Sequence, residues 1–253
     1  MTVNLDLTGR RVLLTGASSG IGAATCRALA AAGASVAMIA RRKERLDELA
    51  EELGPNVVGI PADVTDHTAL KSAIDEAANR FGGLDAVVAV AGRMMAGGMV
   101  SGDPQVWREL MDVNLVAPLA TARYAYQHLG GDGRRDIIIV GSAGAKMVVP
   151  SSGIYAASKR GLLAACEALR LELAAEGINV GVVMPGMFET EGLTLEGIIL
   201  DGDIPPNDFP LLAPDGSPGP PDVVADTIAF MLSLPEGSGI NEIVVRPTGQ
   251  YTP

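Results

Sequence analysis

The chain has 253 residues, 48% of them hydrophobic but only 4% aromatic, with 31 glycines and a formal net charge of −11. That length suits one large domain spanning 1–253, with a core of Ala, Val, Leu, Ile and Met crossed by many tight turns. The acidic excess excludes nucleic acid and anionic membrane surfaces as partners, since either needs a basic face.

Short aliphatic runs alternate with longer helical patterns. "RVLLT" reads as a strand and "IGAATCRALAAAG" as a helix ending at Gly33. "SVAMIA" is a second strand. "KERLDELAEEL" then places Leu46, Leu49 and Leu53 on one face of an amphipathic helix. "NVVGI" is a strand, and Asp66 to Arg80 a helix capped by Thr65 or Asp66. After the strand "LDAVVAV", Asp103-Pro104 supplies an N-cap and a first-turn proline for a long helix. "DIIIVGS" is a strand, and a helix runs from about Ser152 to Glu176. "INVGVVM" is a strand, Asp222 to Leu234 a helix and "NEIVV" a last strand. Near-continuous apolar strands between helices predict a doubly wound α/β fold, a parallel sheet of about seven strands covered on both faces. Residues 186–221, rich in Pro, Gly and Asp, break this rhythm and read as a long functional loop.

The minor features have plain readings. Cys26 and Cys166 lie in helical stretches and read as buried free thiols, without a disulfide framework. "MTVNLDLTGRR" lacks an apolar targeting core, and every apolar run is shorter than a membrane span. The expected location is therefore the cytoplasm. His67 and His128 read as surface helix residues, so no metal site is expected. Trp107 and Met94, Met95, Met99, Met147 and Met187 read equally as core filler, but Met94, Met95, Met147 and Met187 follow strand ends, where they could form a pliable apolar pocket.

Two stretches carry chemistry. "TGASSGIG", from Thr15 to Gly22, joins the first strand to the first helix. Gly16 permits the tight turn, Gly20 lets backbone amides approach a pyrophosphate, and Gly22 allows close packing of helix and strand. "SAGAKMVVPSSGIYAASK" holds Ser142, Tyr155 and Lys159, the last two at i and i+4 on one helical face. A phenol beside an ammonium makes a proton donor of tunable acidity, because Lys⁺ favours the phenolate and lowers the tyrosine pKa. Read singly, Ser142 could be a strand-end turn residue, Asn114 a polar residue bending a helix, and the Tyr-Lys pair a solvated face.

Taken together, these motifs resemble the short-chain dehydrogenase/reductase family in its compact single-domain branch. "TGASSGIG" matches the family's cofactor loop, "ADVTD" places Asp63 at its adenine contact, and "DVNL" places Asn114 at its catalytic asparagine. Ser142, Tyr155 and Lys159 match the catalytic serine and YxxxK pair, and "PGMFET" matches PGxxxT. The resemblance implies a catalytic set of Asn114, Ser142, Tyr155 and Lys159. It implies cofactor contacts at Gly16, Ser18, Ser19, Gly20, Ile21, Arg41, Arg42, Asp63, Val64, Ala91 and Gly92. Further contacts are implied at Tyr155, Lys159, Pro185, Gly186 and Thr190. One departure is "AVAG" for the family's NNAG, with Val90 at the second Asn, which puts local stability in doubt. The tail "NEIVVRPTGQ" is similar to endings in a subgroup with 3-hydroxy acid dehydrogenases and clavulanate-type aldehyde reductases.

The expected cofactor is NADP(H) in preference to NAD(H). "MIARRKERL" has Ala40 where an acid would accept from a ribose 2′-hydroxyl, followed by Arg41 and Arg42, which could pair a 2′-phosphate. Either arginine could instead be a solvated residue paired with Glu44 or Glu48. The expected reaction is interconversion of a ketone or aldehyde with an alcohol, with Tyr155 as general acid/base. Imine reduction, epimerisation and a non-catalytic dinucleotide sensor remain alternatives. No Lys or Arg occurs between Leu171 and Val245, whereas the loop carries Glu189, Glu191, Glu196, Asp201, Asp203, Asp208 and Asp215. The substrate is therefore expected to be neutral or cationic and largely apolar, unless Arg93 or Lys146 reaches an anionic one. The helix "GLLAACEALRLELAAEG" is apolar on more than one face, and the family pairs this helix across an interface; a homotetramer or homodimer is expected.

Overall fold

The computed structural model describes residues 5–131, 133–148, 151–193, 197–203 and 218–250. Its first half runs β1 (Arg11–Thr15), α1 (Gly20–Ala31), β2 (Ser35–Ala40), α2 (Lys43–Leu53), β3 (Val57–Pro61), α3 (His67–Phe81) and β4 (Ala86–Ala89). Then follow β5 (Met95–Gly97), α4 (Pro104–Met111), α5 (Ala117–Ala125), β6 (Arg135–Val140), α6 (Gly153–Leu173), β7 (Ile178–Pro185), β8 (Ile199–Asp201), α7 (Asp222–Leu232) and β9 (Glu242–Val245). Seven strands form one parallel sheet in the order β3-β2-β1-β4-β6-β7-β9.

Successive side chains of a strand face opposite sides of the sheet, so two cores form. Val12 and Leu14 of β1 pack with α1, α2 and α7, including Cys26, Leu46 and Ile228. Leu13 packs on the other face with α3, α5 and α6, including Ile74, Ala122 and Leu162. Burial pushes both Cys26 and Cys166 thiols up to about 12, so neither is reactive near neutrality. Val90 packs its side chain against the first of these cores. At this position an apolar contact stands where the family's asparagine would be.

The amino ends of the strands are held by ion pairs. Arg11 forks onto Asp85, and the fully buried Asp136 is held by Arg10 and Arg134 at 2.7 and 2.6 Å. The carboxyl ends are left for loops. After β1 the chain moves outward to β2 and β3, then returns to β4 on the other side of β1. The loops after β1 and β4 therefore diverge, opening a crevice above the sheet.

Two regions differ from the expectation. The helix announced by Asp103 is interrupted: α4 passes into a π-helical turn, Asp112–Val116, before α5 begins. The Asp103 cap is as expected, its carboxylate accepting from Gln105 N at 2.8 Å. The segment 186–221 is not structureless where it is described. It carries a 3-10 turn (Glu191–Leu193) and β8, which pairs in parallel with β5, Met95 opposite Ile199. Asp201 ends that strand and accepts from Asp103 N (2.9 Å) and Trp107 Nε1 (3.1 Å), tying the segment to α4. Trp107 is thus an anchor for this segment as well as packing mass. Glu196, Asp208 and Asp215, counted among the loop acids, lie outside the described residues.

Candidate active site

The crevice holds a cavity of about 860 Å³. Every residue of the expected catalytic set and cofactor contacts lines it except Asn114. On its first wall, Gly16 (φ +71°) turns the chain out of β1; a Cβ there would lie 2.7 Å from Ala91 N, against the end of β4. Only glycine permits both the backbone and the approach. Ser19 is the N-cap of α1 but makes no side-chain cap bond. Its hydroxyl instead accepts from Arg42 Nη2 at 2.8 Å. The first N–H groups of α1 therefore have no side-chain acceptor from their cap, and the helix end is a ready anion site.

Beyond this loop stand the residues that follow β2. Arg42 donates to Ser18 Oγ at 3.0 Å and pairs with Glu191 at 2.8 Å. Arg41 is 71% exposed and reaches Asp63 only at 3.9 Å, while Asp63 accepts from Thr65 N and Oγ1. Neither arginine has an ion pair to Glu44 or Glu48; the partners come from distant segments.

The opposite wall is built by β4, β6 and α6. Ser142 follows the end of β6 and caps a 3-10 turn, its Oγ accepting from Gly144 N at 3.0 Å. Tyr155 and Lys159 rise one turn apart on α6. Lys159 is 5% exposed, and its Nζ donates to Val140 O at 3.3 Å. Burial pushes its pKa down to about 8. Burial also raises the Tyr155 phenol above its ordinary value, opposed by a hydrogen bond with Ser142. This corrects the expectation of a tyrosine already lowered by Lys159. The desolvation of the phenolate outweighs its polar neighbours here, which leaves Tyr155 holding its proton at neutral pH.

Asn114 sits in the π-helical turn, fully buried, one layer behind the cavity wall. It clamps the strand-four loop at two points: Oδ1 accepts from Arg93 N and Nδ2 donates to Arg93 O, both at 2.8 Å. Nδ2 also donates to Ser158 Oγ (3.3 Å), which donates to Tyr155 O (2.7 Å). A Cβ on Gly92 would lie 3.2 Å from Asn114 Oδ1 and 3.4 Å from Lys159 Nζ, so a side chain there would crowd both polar atoms.

The floor comes from the segment after β7. Met187 N donates to Gln250 Oε1 at 2.9 Å, and Phe188 is anchored in the core at 1% exposure. Thr190 lies over the glycine loop. Met94, Met147 and Met187 line the cavity, but Met95 does not: it is a buried residue of β5. Arg93 also lines it, together with Glu109 and Asp112, whereas Lys146 is turned away to Glu242 at 2.7 Å. Glu191 and Gln250 are site residues that the motifs missed; their roles arise from contacts across the fold. Burial opposes ionisation of Glu191, but the arginines beside it hold its pKa below the usual carboxylate range. His128 pairs with Asp75 at 2.8 Å, and the His67 ring lies edge-on to Tyr124. No group of three His, Cys, Asp or Glu able to hold a metal ion occurs among the described residues. Nor is any helix among the described residues long and apolar enough to cross a membrane.

An uncapped helix end, two guanidinium groups beside it, and a buried phenol-ammonium-hydroxyl cluster deeper in fit an elongated, polyanionic ligand placed next to a proton donor. The comparisons with known proteins agree with this geometry. Residues 10–196 match the model of the short chain dehydrogenase family. A glycine betaine reductase of Emericella nidulans is 34% identical over 246 residues, 95% of this chain but only 19% of that much longer protein. A dehydrogenase/reductase of Sinorhizobium meliloti is 32% identical, with a TM-score of 0.84 and 98% of each chain covered. A short chain dehydrogenase of Burkholderia cenocepacia, solved in complex with NADP, is 32% identical with a TM-score of 0.81, covering 95% of this chain and 97% of that one.

Proposed function

Since the chain belongs to the short-chain dehydrogenase family, a family of oxidoreductases that bind nicotinamide dinucleotides, we propose that it is an NADP(H)-dependent reductase. Its substrate would be a neutral or cationic ketone or aldehyde, interconverted with the alcohol. The observation that carries this reading is the convergence of Ser142, Tyr155 and Lys159 with the glycine loop and Arg41–Arg42 around one cavity.

A bound nicotinamide would supply or accept the hydride. The chain's own residues handle the proton and the charge. In reduction, Tyr155 donates to the carbonyl oxygen as it becomes an alcohol, and its raised pKa keeps that proton available near neutrality. Ser142 donates to the same oxygen and orients it. Lys159, with a pKa of about 8, is still largely protonated at pH 7 and stabilises the phenolate left behind. Reprotonation would run from solvent through water held between Asn114 and Lys159, whose polar atoms both face the space above Gly92. The N-terminus of α1 would hold the diphosphate, and Asp63 and Val64 would border the adenine.

Ala40 at the end of β2 removes the acid that would favour NAD(H), and Arg41 is exposed with only a loose partner. Arg41→Ala is expected to weaken NADPH about tenfold, near the low end for a charge-assisted contact because the site is solvent-screened. NADH affinity should be nearly unchanged. Dissociation constants for both cofactors on both proteins check this, and tighter NADH than NADPH binding by the unmodified protein would overturn it.

The charge of the substrate follows from the same cavity. Glu109 and Asp112 line it beside Arg93, and Lys146 is committed to Glu242. Glycine betaine, in the name of the Emericella nidulans relative, carries both a quaternary ammonium and a carboxylate; its cationic group is compatible with such a lining. A trimethylammonium aldehyde and its neutral isostere should be reduced with kcat/KM above that of the matching aldehyde that carries a carboxylate in place of the ammonium. Preference for the carboxylate would refute this, and would favour the hydroxy-acid hint of the tail. NADPH absorbance with a carbonyl panel tests the whole proposal. Consumption with imines alone would identify an imine reductase, and binding without consumption a sensor.

Leu171 on α6 is 63% exposed and Val116 before α5 is 40% exposed. We assign these faces to pairing with further copies of the chain, as dimer or tetramer; a monomer by light scattering at micromolar concentration would refute that.

A further inference from the structure

Glu191 begins the 3-10 turn after Thr190, yet its carboxylate is taken by two arginines from across the crevice. Oε2 accepts from Arg42 Nη1 at 2.8 Å, and Oε1 pairs with Arg45 Nη1. Arg42 is at the same time fixed to Ser18 and Ser19 at the mouth of the glycine loop. Thr190 closes the same gap: a Cβ on Gly20 would lie 3.0 Å from Thr190 Cγ2. The segment following β7 therefore lies on the N-terminal end of α1. It brings a carboxylate to the place where that helix end and the arginines favour an anion.

We propose that Glu191 is an internal competitor for the 2′-phosphate of the cofactor and thereby a determinant of cofactor selectivity. It holds Arg42 and Arg45 until a phosphate takes them. The inference rests on the cofactor reading above. A phosphate brings up to two charges and three acceptor oxygens to two guanidinium forks, whereas a carboxylate brings one charge and two oxygens. A phosphorylated dinucleotide therefore displaces Glu191 from both arginines, while Phe188 keeps the start of the segment anchored in the core. A plain 2′-hydroxyl has no charge with which to compete, so NAD(H) leaves Glu191 in place. The contest lowers affinity for NADP(H) without touching NAD(H). Arg42, Arg45 and Glu191 are 41%, 47% and 48% exposed, so the effect is screened and moderate.

The test is calorimetric titration of the intact protein, E191Q and E191A with 2′,5′-ADP and with 5′-AMP, fragments that differ by the 2′-phosphate. Both variants should bind 2′,5′-ADP about three- to tenfold tighter than the unmodified protein and 5′-AMP within about twofold of it. Glu191 is exposed at a turn, and matching melting curves will verify that the variants are folded. If either variant binds 2′,5′-ADP no tighter than the unmodified protein, the inference is overturned and the cofactor reading stands. If the unmodified protein and both variants bind 2′,5′-ADP no better than 5′-AMP, the cofactor reading itself falls, and the inference with it.

Discussion

Tyr155→Phe is expected to lower turnover by about 10²–10⁴-fold, the range for loss of a positioned general acid, while leaving the NADPH dissociation constant nearly unchanged. The variant removes one hydroxyl and keeps the ring, so α6 and the cavity wall should retain their packing. Tyr155 also shares a hydrogen bond with Ser142, so the same change leaves Ser142 with one fewer partner. Turnover within about twofold of the unmodified enzyme would remove Tyr155 from the proton path. Lys159→Ala serves as the companion. Lys159 is buried beside Val140 O and faces the space above Gly92, where a cofactor ribose could also reach it. It should therefore raise the NADPH dissociation constant as well as lower turnover. Loss confined to turnover would restrict its role to tuning Tyr155.

The second large effect concerns stability and lies at the other end of the sheet. Asp136 is fully buried in β6 between Arg10, from before β1, and Arg134. Arg134 also donates to Met231 O and Pro235 O, so this cluster fastens β6 to the end of α7. Burial pushes the Asp136 carboxyl above its ordinary range, and the two guanidinium groups oppose that shift. Asp136→Ala leaves two largely buried cations without their common partner. Removing one member of such a group costs about 3–5 kcal/mol. For a chain of this size that corresponds to a melting temperature lower by roughly 6–20 °C. Asp136→Asn, which keeps the volume and one acceptor, should fall between. A shift below about 2 °C for the alanine variant would mean that water replaces the carboxylate without cost. Neither change should move cofactor selectivity, because the cluster is at the amino edge of the sheet and the cavity at the carboxyl edge.

The alternation of strands and helices was legible because it depends on near neighbours. Leu46 and Leu49 fall on one helical face, and the runs at Val12–Leu14 and Ile137–Val140 are buried on both sides, as their unbroken apolarity implied. The glycine loop, Ser142, and the Tyr155–Lys159 spacing were legible for the same reason: each is a local pattern that must sit at a strand end or on one helix face. Other features have no local signature. The residues Asp112–Val116 read as ordinary helix, and the π-helical turn places Asn114 where its amide can clamp Arg93. β5 and β8 are three residues each and become strands only by pairing with one another across about a hundred residues of chain. The tyrosine pKa was expected to fall on the strength of a nearby lysine, and it rises because the cost of burying a phenolate is a property of the assembled cavity. Sequence by itself thus determined which side chains could do chemistry and at which strand ends they stand. Only the tertiary structure decided which of them meet. Glu191 reaches Arg42 across 149 positions, and that contact depends on how far the segment after β7 folds back over the loop after β1. Periodicity carries information over one or two turns of chain, whereas such distances are set by packing between whole elements.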